Sequence, residues 1–367
     1  MRSEKKIKLA LFYLISVSLS LIIIIFILIS PSIISKLTKS YSYCNSYGDR
    51  DNQLGWVLKK SHESCLSLKN HIVHKHYFDT KIFTNQYGFR DNSLTNKNEP
   101  EIIFIGDSWT FGYGVDNQNT FASLVGSKTN MNILNMGVPN YSSLQSIFLY
   151  KRFEDKFAPK YIVFLNPNTL TRALCSEEYY QYTLEPCYTL INNEVNIHFP
   201  NKTHIDIALD KKIYPSGFHT SGYNFFDFYF KYKPLEILRN FFKRYGLYSE
   251  DYTAEVKAQY FTNSEMDLIA KKELSVLADL SNKNTKIINI MMHSNLYDKD
   301  QIMEMELNKN FMNFDIKWYK ENVINKILNL KNSGKIEIDG HYNEEANEII
   351  ASEIVGLINL FENLKRL

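Results

Sequence analysis

The chain has 367 residues, 44% of them hydrophobic and 22% charged, and carries a formal net charge of +2 at pH 7. That length can bury one large core or two small ones. The near-balanced charge gives no basis for nucleic-acid binding, and no internal repeat or low-complexity tail is present.

Residues 1–8 carry Arg2, Lys5, Lys6 and Lys8 against a single acidic residue, Glu4. From Leu9 to Ile29 no residue is charged, and the run includes LIIIIFILI. Its length suits a hydrocarbon core of ~30 Å. A cleaved signal peptide would have a shorter apolar region and a small-x-small site. Residues 9–30 are therefore expected to form an uncleaved transmembrane signal anchor. Residues 1–8 would be a cytoplasmic tail, because basic flanks stay inside. The remainder would lie on the far side of a bacterial inner membrane, in the periplasm.

Residues 31–100 form a polar, aromatic lead-in with short strands, broken at turn signals such as Gly88 and Asp91-Asn92. His71, His74 and His76 cluster in HIVHKH, but no acidic or cysteine partner stands at a metal-binding spacing. No metal and no organic cofactor is expected. The cysteines Cys44, Cys65, Cys175 and Cys187 fall as two local pairs. An oxidising compartment permits disulfides, and four cysteines allow three pairings. Local pairing, Cys44–Cys65 and Cys175–Cys187, is the expectation.

Residues 101–367 alternate strands and helices. EIIFIG, MNILNMG, KYIVFLNP and TKIINIMMH read as four strands, and KIEIDGH as a short final one. NTFASLVGSKT, SSLQSIFLYKRFEDKF, SEMDLIAKKELSVLADLSN and KWYKENVINKILNLKN read as helices. In the last helix Ala346, Ile350, Ile354, Leu357, Ile358 and Phe361 are spaced for one buried face. This alternation predicts an α/β fold, a parallel sheet covered on both sides. An insertion at about 170–259 is rich in tyrosine and phenylalanine, among them Tyr179, Tyr180, Phe225, Phe226, Phe228 and Phe230.

In FIGDSWTFGYGV the buried strand runs straight into Gly106-Asp107-Ser108. Ligands of open parallel sheets bind outside the carboxyl ends of the strands. Ser108 sits at such an end. A helical turn starting there would aim backbone N–H groups at the site. A free hydroxyl is a poor nucleophile and needs a base. The candidate base, His341, lies in IEIDGHYNEEANEIIASEI, with Asp339 two residues before it. Residues two apart in an extended segment share a face, so Asp339 could orient the imidazole. That division of labour is the serine triad, recognised by roles rather than chain order. His293, ending the fourth strand, is a rival base. Trp109 could line an acyl pocket or pack under the first helix. Asn343 suits a helix N-cap, with Glu344 and Glu345 in the first turn.

Here the chain resembles the SGNH (GDSL-type) hydrolase superfamily, in a membrane-anchored bacterial form. Gly106-Asp107-Ser108 is similar to its first block, NILNMGVPNYSSLQ to its second, VFLNPNTLTR to its third and DGHYNEEANEIIA to its last. TNQYGFRDN is similar to lead-ins of bacterial members. The likeness covers roughly residues 80–175 and 260–365. Two departures stand out: Thr169 follows Asn168 where aspartate is usual, and Asp339 and His341 are separated by one residue rather than two.

The resemblance implies a three-layer α/β/α sandwich with a flavodoxin-like parallel sheet. It implies a catalytic Ser108, Asp339 and His341. The oxyanion hole would be the Ser108 and Gly137 N–H groups with the Asn168 side chain, Asn166 being the alternative asparagine. The implied activity is hydrolysis of acyl esters, O-acetyl foremost, on cell-envelope carbohydrate or lipid. O-acyl transfer to a surface polysaccharide is an alternative. So is an inactive, membrane-tethered glycan-binding or scaffold protein.

Overall fold

A computed structural model describes residues 13, 16–21, 39–43, 47–70, 75–90, 99–166, 172–175, 185–200, 263–281, 284–291, 310–314, 316–328, 337–338 and 341–364. The chain divides into two compact units. One comprises Met1–Ser42 and Leu66–Asp79, the other Tyr43–Cys65 and Thr80–Leu367.

Five strands precede the core: β1 Lys39–Tyr43, β2 Gly48–Asp51, β3 Gly55–Leu58, β4 Glu63–Asn70 and β5 Lys75–Phe83. β2 and β3 form an antiparallel hairpin, and β1, β4 and β5 form a three-stranded sheet in the order β1-β4-β5.

The core follows as β6 Ile102–Gly106, α1 Ser108–Phe111, α2 Phe121–Thr129, β7 Ile133–Asn135, α3 Ser143–Lys151 and β8 Tyr161–Asn166. A hairpin, β9 Cys187–Ile191 and β10 Glu194–His198, precedes α4 Asn263–Ala278 and β11 Lys286–Met291. Then come β12 Phe311–Phe314 and α5 Ile316–Tyr319, a π-helical turn Lys320–Ile324, and α6 Asn325–Leu328. The chain closes with β13 Glu337–Ile338, β14 His341–Tyr342 and α7 Glu344–Leu364.

Five strands make one parallel sheet in the order β12-β11-β8-β6-β7. Counted by chain position within the sheet this is 2-1-3-4-5, the flavodoxin-like order. Every residue of β6, β8 and β11 is buried, as expected of parallel strands covered on both faces. Alternate side chains feed two separate cores. Ile102, Phe104, Val163, Leu165, Ile288 and Ile290 join α2, α6 and α7 residues such as Phe121, Val125, Ile327, Ile350 and Ile354. On the other face Met291 joins Leu144 of α3 and Met266, Ile269 and Ala270 of α4, with Tyr188 of β9. The result is helix, sheet, helix.

The fifth strand differs from the expected one. It is Phe311–Phe314, paired with β11 through Ile287 and Phe311. KIEIDGH instead contributes β13, which pairs antiparallel with β14, Ile338 opposite His341. Apolar period alone cannot separate a two-residue hairpin arm from a sheet strand.

Most of the expected anchor, residues 9–30, lies outside the described residues. Tyr13, Val17, Leu19 and Leu21 within it are apolar and exposed. Among the described residues no helix is long and apolar enough to cross a membrane. Cys175 and Cys187 are joined, as expected from their spacing. Cys65 is disulfide-bonded as well, and Cys44 lies outside the described residues.

Candidate active site

The nucleophile turn is built by glycine and aspartate. Gly106 ends β6 at φ +152°, and a Cβ there would stand 2.2 Å from Thr110 Oγ1, so only glycine lets the chain turn this sharply. Asp107 then caps α1, its Oδ1 accepting the Trp109 N–H at 3.0 Å. Ser108 is the first residue of α1, where helix geometry supplies no intrahelical acceptor for its N–H.

His341 meets this serine from the far end of the chain. Its Nε2 lies 2.8 Å from Ser108 Oγ. The imidazole is half-buried and flanked by two rings, Tyr113 at 4.6 Å and Trp109 at 5.4 Å between centroids. Trp109 also packs edge-on against Tyr342 at 4.2 Å, and the Tyr342 hydroxyl hydrogen-bonds that of Tyr319. Trp109 thus joins the His341 and Tyr342 rings in one aromatic cluster.

The elements carrying His341 are clamped to the nucleophile side. Asn343 caps α7, its Oδ1 accepting the Ala346 N–H at 2.9 Å. Buried Asn347 donates to the carbonyls of Tyr342 at 3.2 Å and Asn343 at 2.9 Å. Its Oδ1 accepts the Phe121 N–H at 3.0 Å, which ties the start of α7 to α2. Nothing in the sequence marked Asn347; a polar residue one turn into an amphipathic helix reads as solvated.

Gly137 is placed differently from expectation. Its N–H donates to Asn135 Oδ1 at 3.0 Å. A Cβ at this position would stand 2.3 Å from the Phe111 nitrogen. The glycine lets the turn after β7 press directly on α1. Asn135 holds both sides, its Nδ2 donating to the Thr110 carbonyl at 2.8 Å. Asn140 turns the same segment at φ 63°, a left-handed conformation that asparagine tolerates better than most residues.

Asn166 ends β8 and is buried. Its Nδ2 donates to Glu273 Oε1 of α4 at 3.3 Å, and Ser143 Oγ donates to Glu273 Oε2. Asn168, Thr169, Asp339 and His293 lie outside the described residues. So do His71, His74 and the aromatic residues chosen from the insertion. Among the described residues no group of His, Cys, Asp or Glu is arranged to hold a metal ion.

Two residues without a sequence signal shape the site. Arg90 is buried and reaches across to the loop after α1. Arg172 lies over Asp107, its Nη1 donating to Asp107 Oδ2 at 3.2 Å and to the Tyr141 carbonyl at 3.4 Å. Burial pushes the Asp107 carboxyl up to about 6, against the pull of Arg172.

Burial likewise pushes the Glu273 carboxyl up to about 7, against hydrogen bonds from Ser143 and Asn166. Between its ordinary value of 4.5 and about 7 the folded chain keeps this proton while the unfolded chain has released it. Its stabilising contribution is therefore full below that ordinary value and is lost as pH rises through the folded value. Asp107 acts with the same sign at lower pH. The expected result is that Tm falls less steeply from about pH 5 to about pH 8 in Glu273→Gln than in the wild type. Parallel Tm profiles would remove Glu273 as a source of the slope.

Chemically, a serine hydroxyl within hydrogen-bond reach of an imidazole, at the carboxyl end of a parallel sheet, is equipped for nucleophilic attack with proton transfer.

No protein-family model matches the chain, and no curated protein is similar to it in sequence. Among solved structures it is similar to a protein described as lipolytic and of the G-D-S-L family, from Desulfitobacterium hafniense DCB-2. Identity is 12% and the TM-score 0.27, with 69% of this chain and 97% of that one covered. It is also similar to a carbohydrate esterase family 2 enzyme with a carbohydrate-binding domain from Corynascus thermopiles (Myceliophthora fergusii). Here identity is 9% and the TM-score 0.25, with 87% and 100% covered. At these scores neither likeness carries weight, and the chain's own residues bear the chemistry.

Proposed function

We propose that the chain is a serine-dependent ester hydrolase acting on acyl esters, O-acetyl foremost, of cell-envelope carbohydrate or lipid. The observation that carries this is the 2.8 Å contact between Ser108 Oγ and His341 Nε2 at the mouth of a parallel sheet. Ser108 Oγ attacks the ester carbonyl while Nε2 takes its proton. The C–O bond to the leaving alcohol then breaks, and His341 returns that proton to the alcohol. Water, activated by the same nitrogen, releases the acyl group from Ser108. Asp339, from its place beside His341 in the sequence, is assigned to hold the ring through Nδ1. The Ser108 N–H and Asn168 are assigned to the oxyanion, and Gly137 could join them only by releasing Asn135.

Transfer to a sugar hydroxyl in place of water is the second reading. It is favoured by the Trp109 and Tyr113 rings packed against His341, since a site shielded from water favours another acceptor. The test begins with a fluorophosphonate probe on the intact protein. Labelling that disappears in Ser108→Ala supports an activated serine; an unlabelled wild type points to the binding-protein alternative. An acetyl ester is then supplied with and without an envelope-type oligosaccharide, and free acid and acylated sugar are followed together. Acylated sugar formed at the expense of free acid selects transfer. Free acid alone selects hydrolysis.

We further assign residues 9–30 to a single inner-membrane anchor with the catalytic unit in the periplasm. The charge-free run and its exposed apolar side chains support this. So does the Cys175–Cys187 disulfide, which suits an oxidising compartment. A reporter that works only in the periplasm, fused after Leu367, should be active. A signal confined to a cytoplasmic reporter would overturn the assignment.

A further inference from the structure

We propose that Arg172 forms an oxyanion-binding subsite beside Ser108, so that the acyl ester taken here carries a carboxylate or phosphate next to the reacting carbonyl. This deepens the ester-hydrolase reading and rests on it. The argument starts from which donors are engaged. A guanidinium carries five N–H donors in a planar fork. Among the described residues the hydrogen bonds of Arg172 all leave from Nη1, toward Asp107 and the Tyr141 carbonyl. Nη2 and Nε have no hydrogen-bond partner among the described residues. The side chain is 43% exposed while that of Asp107 beneath it is 2% exposed. The carboxylate is thus a buried footing and the arginine an open face.

The footing fixes that face relative to the chemistry. Asp107 directly precedes Ser108, and its other oxygen holds the Trp109 N–H. The guanidinium is therefore indexed to the same turn as the nucleophile. Its own backbone is anchored as well. Ala173 and Leu174 are buried, the Cys175 N–H donates to the Tyr188 carbonyl at 3.0 Å, and Cys175 is bonded to Cys187. An arginine held this way has already lost much of its rotamer freedom, so less is lost when it binds. Because Asp107 balances its charge, recognition depends on directed N–H donors more than on net charge. Arginine suits carboxylate and phosphate through paired N–H contacts.

The experiment uses the full chain carrying Ser108→Ala, so that binding is read apart from turnover. Three probes are compared by calorimetry: methyl glucoside, methyl glucuronide and glucose 6-phosphate. The expected result is that at least one anion binds about tenfold or more tightly than the neutral sugar, the scale of one charge-assisted hydrogen-bond pair. Adding Arg172→Gln should erase that preference, and Arg172→Lys should retain only part of it. Which anion wins separates a uronate from a phosphate. Equal binding of all three probes in Ser108→Ala overturns the proposal, and so does no binding of either anion at millimolar concentration. A preference that survives Arg172→Gln overturns it too. The first two outcomes need no arginine variant, so a variant that misfolds leaves the proposal falsifiable. Loss of ester turnover in the wild type would sink the hydrolase reading and leave this binding result intact.

Discussion

Ser108→Ala is expected to lower kcat on a short-chain aryl ester by several orders of magnitude while the far-ultraviolet circular dichroism stays that of the wild type. The size follows from what triad losses cost in serine hydrolases, where rates fall toward the residual set by binding and the oxyanion hole. The fold should survive because Ser108 Oγ bonds His341 rather than the core, and α1 keeps its cap on Asp107. His341→Ala should match it. Both residues serve one proton transfer, so the double variant should be no slower than either single one. Asp339→Asn should cost less, since the Trp109 and Tyr113 rings still confine the imidazole. Near-wild-type turnover by Ser108→Ala would end the proposed mechanism, and a double variant far slower than either single would deny a shared step.

Arg90→Ala is expected to lower stability by about 3–5 kcal/mol. Its guanidinium serves four acceptors. Nε donates to Asn117 Oδ1 at 2.7 Å, Nη1 to the carbonyls of Phe111 at 2.6 Å and Gly112 at 2.5 Å, and Nη2 to the Val115 carbonyl at 2.5 Å. The group also lies 4.6 Å above the centre of the Phe111 ring. Burial draws its pKa down to about 9, which leaves it charged at neutral pH. Burying that charge is costly in itself, and a well-packed apolar substitute could recover the cost. Alanine does neither. It removes the donor from the buried Phe111 and Val115 carbonyls, leaves the Gly112 carbonyl with the Val115 N–H at 3.3 Å, and opens a cavity. Arg90→Lys should fail as well, because one ammonium cannot reach acceptors spread over the fork. Chemical denaturation reads the effect as a lower midpoint at unchanged slope. A shift worth under about 1 kcal/mol would mean the loop after α1 is held by something else. Because that loop carries Tyr113 against His341, kcat should fall together with stability.

How much of this was legible beforehand follows the range of the interaction. Local patterns read true. IIFIG, YIVFLN and KIINIM announced buried parallel strands by being apolar throughout. Asn343 announced an N-cap, and the short separation of Cys175 and Cys187 announced their bond. Ser108 is legible because it stands at the end of a buried strand, where parallel sheets place ligands, and His341 because it stands just before the last helix. Those signals need only the periods of strand and helix and the orphan groups at their ends.

What the sequence could not supply was the burial of polar groups, since that is set by partners far along the chain. Arg90, in TNQYGFRDN, looks like one charge in a solvated lead-in, yet its acceptors begin 21 residues later at Phe111. Glu273 looks like the wet face of α4, but Ser143 lies 130 residues before it and meets it in the interior. Gly137 reads as a backbone donor until Asn135 is seen to take its N–H. Period likewise could not tell Phe311–Phe314 from Glu337–Ile338 as the fifth strand, because register along a sheet edge depends on the neighbour already in place. The sequence by itself determined the central buried strands, the helices that cover them and the two residues that meet at 2.8 Å. Only the tertiary structure decided which charges lie inside, because a charged side chain stays buried only where the rest of the fold brings it hydrogen-bonding partners.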